Sequence, residues 1–244
     1  MKPEKRSYRK LQKPEGFKSF EVIVGESDLW IGVPEKFDCK ALKREVENLV
    51  RDLRAQLNFY IEKHPEFLRS LKPVKVEELS PLIAKVMAQR CKDCSVGPMA
   101  GVAGAFNFFV GRKLEEVGVK EFLIENGGDI YIKRKLETLV LLLPPSREKR
   151  YALRIPPGEW GISSSSSKIG HSLSLGNTEI ATVIAKDPIL SDCCATHLGN
   201  SKSVEEALEK VKELPGKVKG ALIVIDGKFV IKGEIAKPYL IKGA

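Results

Sequence analysis

The chain has 244 residues, 43% of them hydrophobic and 30% charged, with a formal net charge of +9. That length suits one large domain or two small ones, with a real core. No apolar run approaches membrane-spanning length, which argues against a membrane protein. Lys and Arg are scattered over helix faces rather than clustered beside aromatic residues, which argues against nucleic-acid binding. The basic balance favours anionic partners such as nucleotides and phosphates, and the Lys- and Glu-rich composition is that of many thermophile proteins.

Met1 to Lys10 is basic, but no apolar core follows it, so it does not read as a signal peptide and a cytoplasmic protein is expected. Residues 17–33 read as two strands with a turn at Gly25-Glu26-Ser27-Asp28, since Phe20, Val22 and Val24 alternate with polar neighbours. Asp38 is set to cap the clearest helix. Leu42, Val46, Leu49, Val50, Leu53, Leu57, Tyr60 and Ile61 follow at helical spacing, and His64-Pro65 ends it. Ser80-Pro81 reads as a cap with proline at the first helical position, opening a helix to about Arg90.

After Gly97-Pro98, residues 98–117 read as a helix whose first half is small and apolar, hence buried on nearly all sides, with Gly118 at its C-terminal cap. Residues 120–125 and 129–134 read as a hairpin about Asn126-Gly127-Gly128. Glu137–Leu143 and Arg150–Ile155 give two more strands. Ser203-Val204-Glu205-Glu206 is a capping box for a short helix, and Asp226-Gly227 turns a terminal hairpin. The order is strands, helices, strands, helix, strands. It predicts an α+β fold, mainly antiparallel, with helices on one face, as a single domain over residues 1–244.

The richest stretch runs from Gly161 to Asn200. It opens with Ser163 to Ser167, passes Gly170-His171-Ser172 and ends on Asp192-Cys193-Cys194-Ala195-Thr196. Small hydroxyl residues let a backbone approach a ligand and supply donors for phosphate or sugar oxygens. The plainer reading is an exposed loop, against which stands the buried strand Ala181–Ala185 that it feeds. Asp192 and Thr196 share one helix face, with Asp192 in the first turn and at a pocket rim. There they suit a hard cation such as Mg²⁺, or simply a carboxylate favoured by the helix dipole. Asn126 to Asp129 is either a hairpin turn or a wall against which a ring or phosphate lies. His171 is a candidate general base, and His64 and His197 read as helix-end or surface residues. Cys39, Cys91, Cys94, Cys193 and Cys194 have no zinc spacing; core filler is the first reading and a disulfide the second.

Together, GPMAGVAGAFN, ENGGD, the serine-rich Gly-His-Ser segment and Asp-x-x-x-Thr resemble the ApbE superfamily, the FAD:protein FMN transferases. Tyr8-Arg9, Glu26-Ser27-Asp28-Leu29, His64-Pro65-Glu66-Phe67, Val96 to Ala100 and Gly170 to Ser174 resemble a smaller cytosolic branch of ApbE-like proteins. The resemblance implies a T-fold-like architecture, a tandem duplication and a homo-oligomer. It implies a flavin or nucleotide pocket, with Mg²⁺ and FAD or FMN as cofactors. Asp192, Thr196 and a backbone carbonyl at Ser163 or Ser164 would be the metal ligands. Asn126, Gly127, Gly128, Asp129, Ser164, Ser165 and Ser166 would border the flavin, and His171 would be catalytic. The implied reaction is FMN transfer from FAD to an acceptor protein, or hydrolysis of the FAD diphosphate. The alternative is a non-catalytic binder of flavin, pterin or nucleotide. Departures from the transferase pattern are Ser167 in place of a glycine, Cys193 and Cys194 in place of alanines, and a shorter chain.

Overall fold

The computed structural model describes residue 9 and residues 14–142, 150–166 and 177–241. Strands β1 (Phe17–Val24) and β2 (Ser27–Pro34) pair antiparallel through the Gly25-Glu26 turn. Helices α1 (Cys39–Lys63), α2 (Pro65–Arg69), α3 (Leu82–Asp93) and α4 (Val102–Glu116) follow, with a 3₁₀ turn at Pro98–Gly101 leading into α4. Then come β3 (Phe122–Asn126), β4 (Asp129–Arg134), β5 (Thr138–Leu142), β6 (Arg150–Ile155), β7 (Gly158–Ser165) and β8 (Thr178–Ala185). Helices α5 (Pro188–Gly199) and α6 (Val204–Glu213) precede β9 (Val218–Ile225), β10 (Lys228–Lys232) and β11 (Tyr239–Ile241).

Eight strands form one sheet in the order β1-β2-β3-β4-β7-β8-β9-β10, antiparallel throughout. Each half of it has two strands, then helices, then two strands, so the fold carries the expected duplication although no sequence repeat marks it. The halves meet at the β4–β7 pairing, where Ile130 faces Ile162 and Tyr131 faces Gly161. One face of the sheet is covered by the helices. Its residues, among them Val22, Ile31, Ile124, Tyr131 and Val183, share one core with α1, α3, α4 and α5. The other face carries Trp30, Leu123, Ile132, Ile162 and Ile184, which pack on the small sheet β11-β6-β5. Strands whose alternate residues both go inward need two covers, and the small sheet is the second.

Local signals were read correctly where they are local. The Asp38 carboxylate caps α1, accepting from the Lys40 and Ala41 amides at 2.8 and 3.4 Å. The apolar stripe Leu42, Val46, Val50, Leu53, Leu57 and Tyr60 is buried. The Asp226-Gly227 turn has positive φ at both residues, as a type I′ hairpin requires. Two expectations need correction. Ser80 does not cap α3: Pro81 holds the N-cap place with extended ψ, and the first helical residue is Leu82. Residues 163–165 are not loop but the end of β7, where the strand pairs with β8 at Val183, Thr182 and Ala181 after its pairing with β4 has ended at Ile162.

The cysteines also differ from their first reading. Cys91 pairs with Cys193 and Cys94 with Cys194, with Cα separations of 5.1 and 5.4 Å, so both bridges tie α3 to α5. Cys39 is a free thiol. Each bridge closes a loop of roughly a hundred residues, and such cross-links typically stabilise by about 2–4 kcal/mol. The double variant Cys91→Ala/Cys193→Ala is expected to lose about that much in a denaturant titration. A thiol titration of it under denaturing, non-reducing conditions should detect Cys39 alone; reactive Cys94 and Cys194 would refute the pairing.

Candidate functional site

The site is built at the N-terminus of α4. Helix α5 crosses it so closely that a Cβ on Gly104 would stand 2.8 Å from the Ile189 Cα, so only glycine fits there. This approach lets the Gly104 amide donate to Asp192 Oδ2 at 2.8 Å, with the Ala103 amide also directed at that carboxylate. Amides at a helix N-terminus point outward without intrahelical acceptors, and a carboxylate satisfies them.

Asp192 is therefore buried, at 8% exposure, rather than at a rim. Nor is it in the first turn of α5. That place is governed by Asp187, whose Oδ1 caps the Ile189 and Leu190 amides while its Oδ2 accepts from Arg90 Nε at 2.5 Å. The dipole of its own helix consequently does not account for Asp192.

Asp129 opens β4 on the helix-covered face. Its Oδ1 accepts from the Ser164 amide at 3.3 Å, and the Ser163 hydroxyl also donates to it. Asp129 is half-buried, with protein crowded around its carboxyl. Burial pushes it up from 3.8 to about 7, against the two hydrogen bonds, with the Glu125 charge adding to the rise. Burial also raises Asp192 well above the ordinary carboxylate range, and the Asp129 charge raises it further. Burial is thus the main reason that both carboxyls resist ionisation, with the Glu125 charge added at Asp129 and the Asp129 charge at Asp192.

The remaining candidates divide by sheet face. Asn126 points to the helices and its Nδ2 reaches the Ala103 carbonyl at 3.5 Å. Gly127 and Gly128, at φ +67° and +107°, shape the turn between Asn126 and Asp129, and a Cβ on either would meet nothing. Ser163 Oγ lies 3.0 Å from Ser191 Oγ of α5. Ser164 presents its amide to Asp129, but its hydroxyl lies on the opposite face, 2.9 Å from Thr182 Oγ1. Ser165 stands beside Gly199 at the C-terminal end of α5, and Ser166 follows it at the end of the strand. Thr196 is half-buried, one helical turn beyond Asp192. His171 and Ser167 lie outside the described residues.

One residue was missed. Asn107 is the only strongly polar side chain fully buried in α4, and its Nδ2 donates to the Asp129 carbonyl at 3.0 Å. Its Oδ1 has no partner among the described residues. A buried acceptor left unmatched costs about 1–3 kcal/mol, which a ligand donor or a cation would relieve. The signal was present in the sequence as one amide inside the apolar run Gly104 to Val110.

Compared with solved structures, this architecture is that of the ApbE flavin transferases. The apo flavinyl transferase ApbE of Pseudomonas stutzeri superposes with a TM-score of 0.67 at 15% identity, covering 88% of this chain and 93% of that one. The ApbE protein of Thermotoga maritima gives 0.60 at 10% identity, covering 89% and 97%. A family model described as AbpE bacteria matches residues 9–215, and the chain belongs to that family. Among its relatives, the UPF0280 protein of Methanococcus aeolicus is 35% identical over 202 residues, covering 78% of each chain. The UPF0280 protein of Methanocaldococcus jannaschii is 32% identical over 234 residues, covering 91% of this chain and 92% of its own. An ApbE-like fold is the common ground.

The carboxyl pair has a consequence for stability. An acid with a raised folded pKa contributes stability that is complete below its unfolded value, near 3.8, and is lost as pH rises toward about 7. In chelator-treated protein the melting temperature is expected to fall across that window. Asp129→Asn should flatten the fall, gaining up to roughly 4 kcal/mol over wild type at pH 8. Parallel pH profiles for wild type and Asp129→Asn would contradict the raised pKa.

Proposed function

We propose that this chain binds FAD as its Mg²⁺ complex where α4, α5 and the Asn126–Asp129 turn meet, and there supports transfer of FMN to a hydroxyl. The observation that carries this reading is the pair of crowded carboxyls, with Asp192 under the charge of Asp129, together with Asn107, whose Nδ2 binds the Asp129 carbonyl and whose Oδ1 has no partner among the described residues.

The donor set fits a hard cation. The available groups are carboxylate, hydroxyl and amide oxygens. Neighbouring Cys193 and Cys194 are held in disulfides and offer no thiolate. Among the described residues no group of three or more His, Cys, Asp or Glu converges, so an all-protein cage is lacking. Mg²⁺ is typically held by one or two carboxylates, its shell completed by water and substrate phosphate. Asp192 and Thr196, with Asp129 close by, are the proposed holders. The Ser163 carbonyl is the proposed backbone ligand, although its strand pairs with β8 at Val183.

When bound, Mg²⁺ neutralises charge on the diphosphate and favours departure of AMP. The residues around it bind and orient. The Gly127-Gly128 turn leaves open space for a flat ring to lie against backbone. Asn126, Asp129 and residues 164–166 border that ring. In the reaction the acceptor hydroxyl oxygen bonds to the FMN phosphorus as the bond to the AMP oxygen breaks. His171 is the proposed acceptor of the hydroxyl proton. With water in place of the acceptor, the product is free FMN. A site that binds flavin without turnover is the alternative, and product analysis distinguishes the two.

The test is a fluorescence titration with FAD, with and without Mg²⁺, followed by chromatography for FMN and AMP. Wild type is expected to bind in a Mg²⁺-dependent way. Asp192→Asn keeps the side-chain shape and loses the charge, so affinity should fall at least roughly tenfold. Its melt in chelator should be no lower than that of wild type, because the removed charge is one that burial disfavours. Absence of Mg²⁺-dependent binding in wild type would end this reading.

A further inference from the structure

Arg9 lies far from the carboxyl pair in sequence and on the opposite face of the sheet. Its guanidinium is buried, at 5% exposure, against three strands. Nε donates to Glu125 Oε2 at 2.6 Å. Nη1 donates to Asp28 Oδ1 at 2.8 Å and Glu21 Oε1 at 3.2 Å, and Nη2 to the Asp28 carbonyl at 3.0 Å. The strand register explains the convergence. Glu21 faces Trp30 and Trp30 faces Glu125 across β1, β2 and β3, with Asp28 two residues along β2. All three acids alternate with residues of the helix-side core, so they stand together on the other face.

Glu125 is fully buried, and its second oxygen is also engaged. Oε1 accepts from the Gly128 amide at 2.8 Å. One carboxylate thus joins Arg9 to the turn that presents Asn126 and Asp129 on the helix-side face. Asn126 and Asp129 are the closing pair of that turn.

We propose that Arg9 is a positioning residue for the candidate site, holding Glu125 so that Glu125 fixes the Gly127-Gly128 turn and the placement of Asn126 and Asp129. The proposal rests on reading that turn as a wall of the flavin site. A planar guanidinium with several fixed donors matches this arrangement of acceptors, and lysine does not replace it. With the Arg9 guanidinium removed, the buried Glu125 carboxylate would lose that charged contact while staying on the same face as Asp28 and Glu21. It would turn toward water, and in turning it would release the Gly128 amide. Residue 9 would thereby belong to the working site, although 116 positions separate it from Glu125.

The test is a double-mutant cycle on the full chain with Arg9→Gln, Glu125→Gln and both together, Arg9→Lys serving as a charge-retaining control. Two readouts are used: amide hydrogen exchange of residues 126–129, and Mg²⁺-dependent FAD affinity. Arg9→Gln is expected to speed exchange in the turn at least roughly tenfold and to weaken FAD binding by a similar factor. In the double variant the neutral side-chain amide at position 125 still accepts from the Gly128 amide with no buried charge, so both losses should largely be recovered. Arg9→Lys should recover only part. If the double variant shows the product of the single effects, or if Arg9→Gln leaves exchange in the turn unchanged, the proposal is overturned. Should Arg9→Gln fail to fold, recovery of folding in the double variant supports it and continued failure overturns it. Should wild type bind no FAD, the flavin reading falls, while the exchange readout still decides the role of Arg9.

Discussion

The close crossing of α4 and α5 is the constraint on which the rest of the site depends. Gly104 permits it sterically, and the bond from its amide to Asp192 fixes it electrostatically. Nearly every other feature of the site serves that crossing. Asp187 caps α5 and binds Arg90 of α3, which sets where α5 starts and how far it can slide. The two disulfides join the same pair of helices immediately after Asp192. Ser191 meets Ser163 and anchors α5 to β7. An acid that is unfavourable to bury is thus held by several independent contacts, each of which helps to stop the helix from carrying it to water.

That crowding explains the chemistry proposed for the site. In water both aspartates would ionise at their ordinary values. Brought together where α4, α5 and β4 meet, both are disfavoured as charges by burial and Asp192 also by the charge of Asp129, while the hydrogen bonds they receive from described residues come from amides and a hydroxyl. The proposed divalent cation with its diphosphate would resolve the imbalance, and Asn107 would offer one further acceptor. In the proposed function, stability and binding pull in opposite directions: the arrangement that costs free energy without a ligand is the one that would favour binding it.

The two faces of the sheet divide the work. The helix-covered face holds the carboxyl pair. The other face holds the small sheet and, near the Asn126 turn, the Arg9 cluster. A hairpin turn is the natural place for the two to communicate, because successive residues point to opposite faces: Glu125 belongs to one and Asn126 to the other. A positive charge on one face is in this way connected to a negative one on the other through a single residue of backbone.

The sequence alone determined what depends on neighbours along the chain. The stripe of α1, the Asp38 cap, the Asn126–Asp129 and Asp226-Gly227 turns and the buried character of α4 follow from spacing of 2 or 3.6 residues and from turn chemistry. So did the family resemblance, carried by short motifs, and with it the naming of Asp129 and Asp192. Tertiary structure decided what depends on partners far apart. Ser163 to Ser165 became strand because β8 pairs with them on one side and the Asp129 carboxylate takes the Ser164 amide on the other, information absent from the serines themselves. Asp192 moved from the first helical turn to a buried position because Asp187 claimed the cap. Cysteines about a hundred residues apart paired because α3 and α5 lie against each other. Asn107 gained its place only when α4 met β4, and Arg9 only when β1, β2 and β3 aligned, since a lone amide in an apolar run and an arginine near the start of the chain carry no record of which acceptors they will meet.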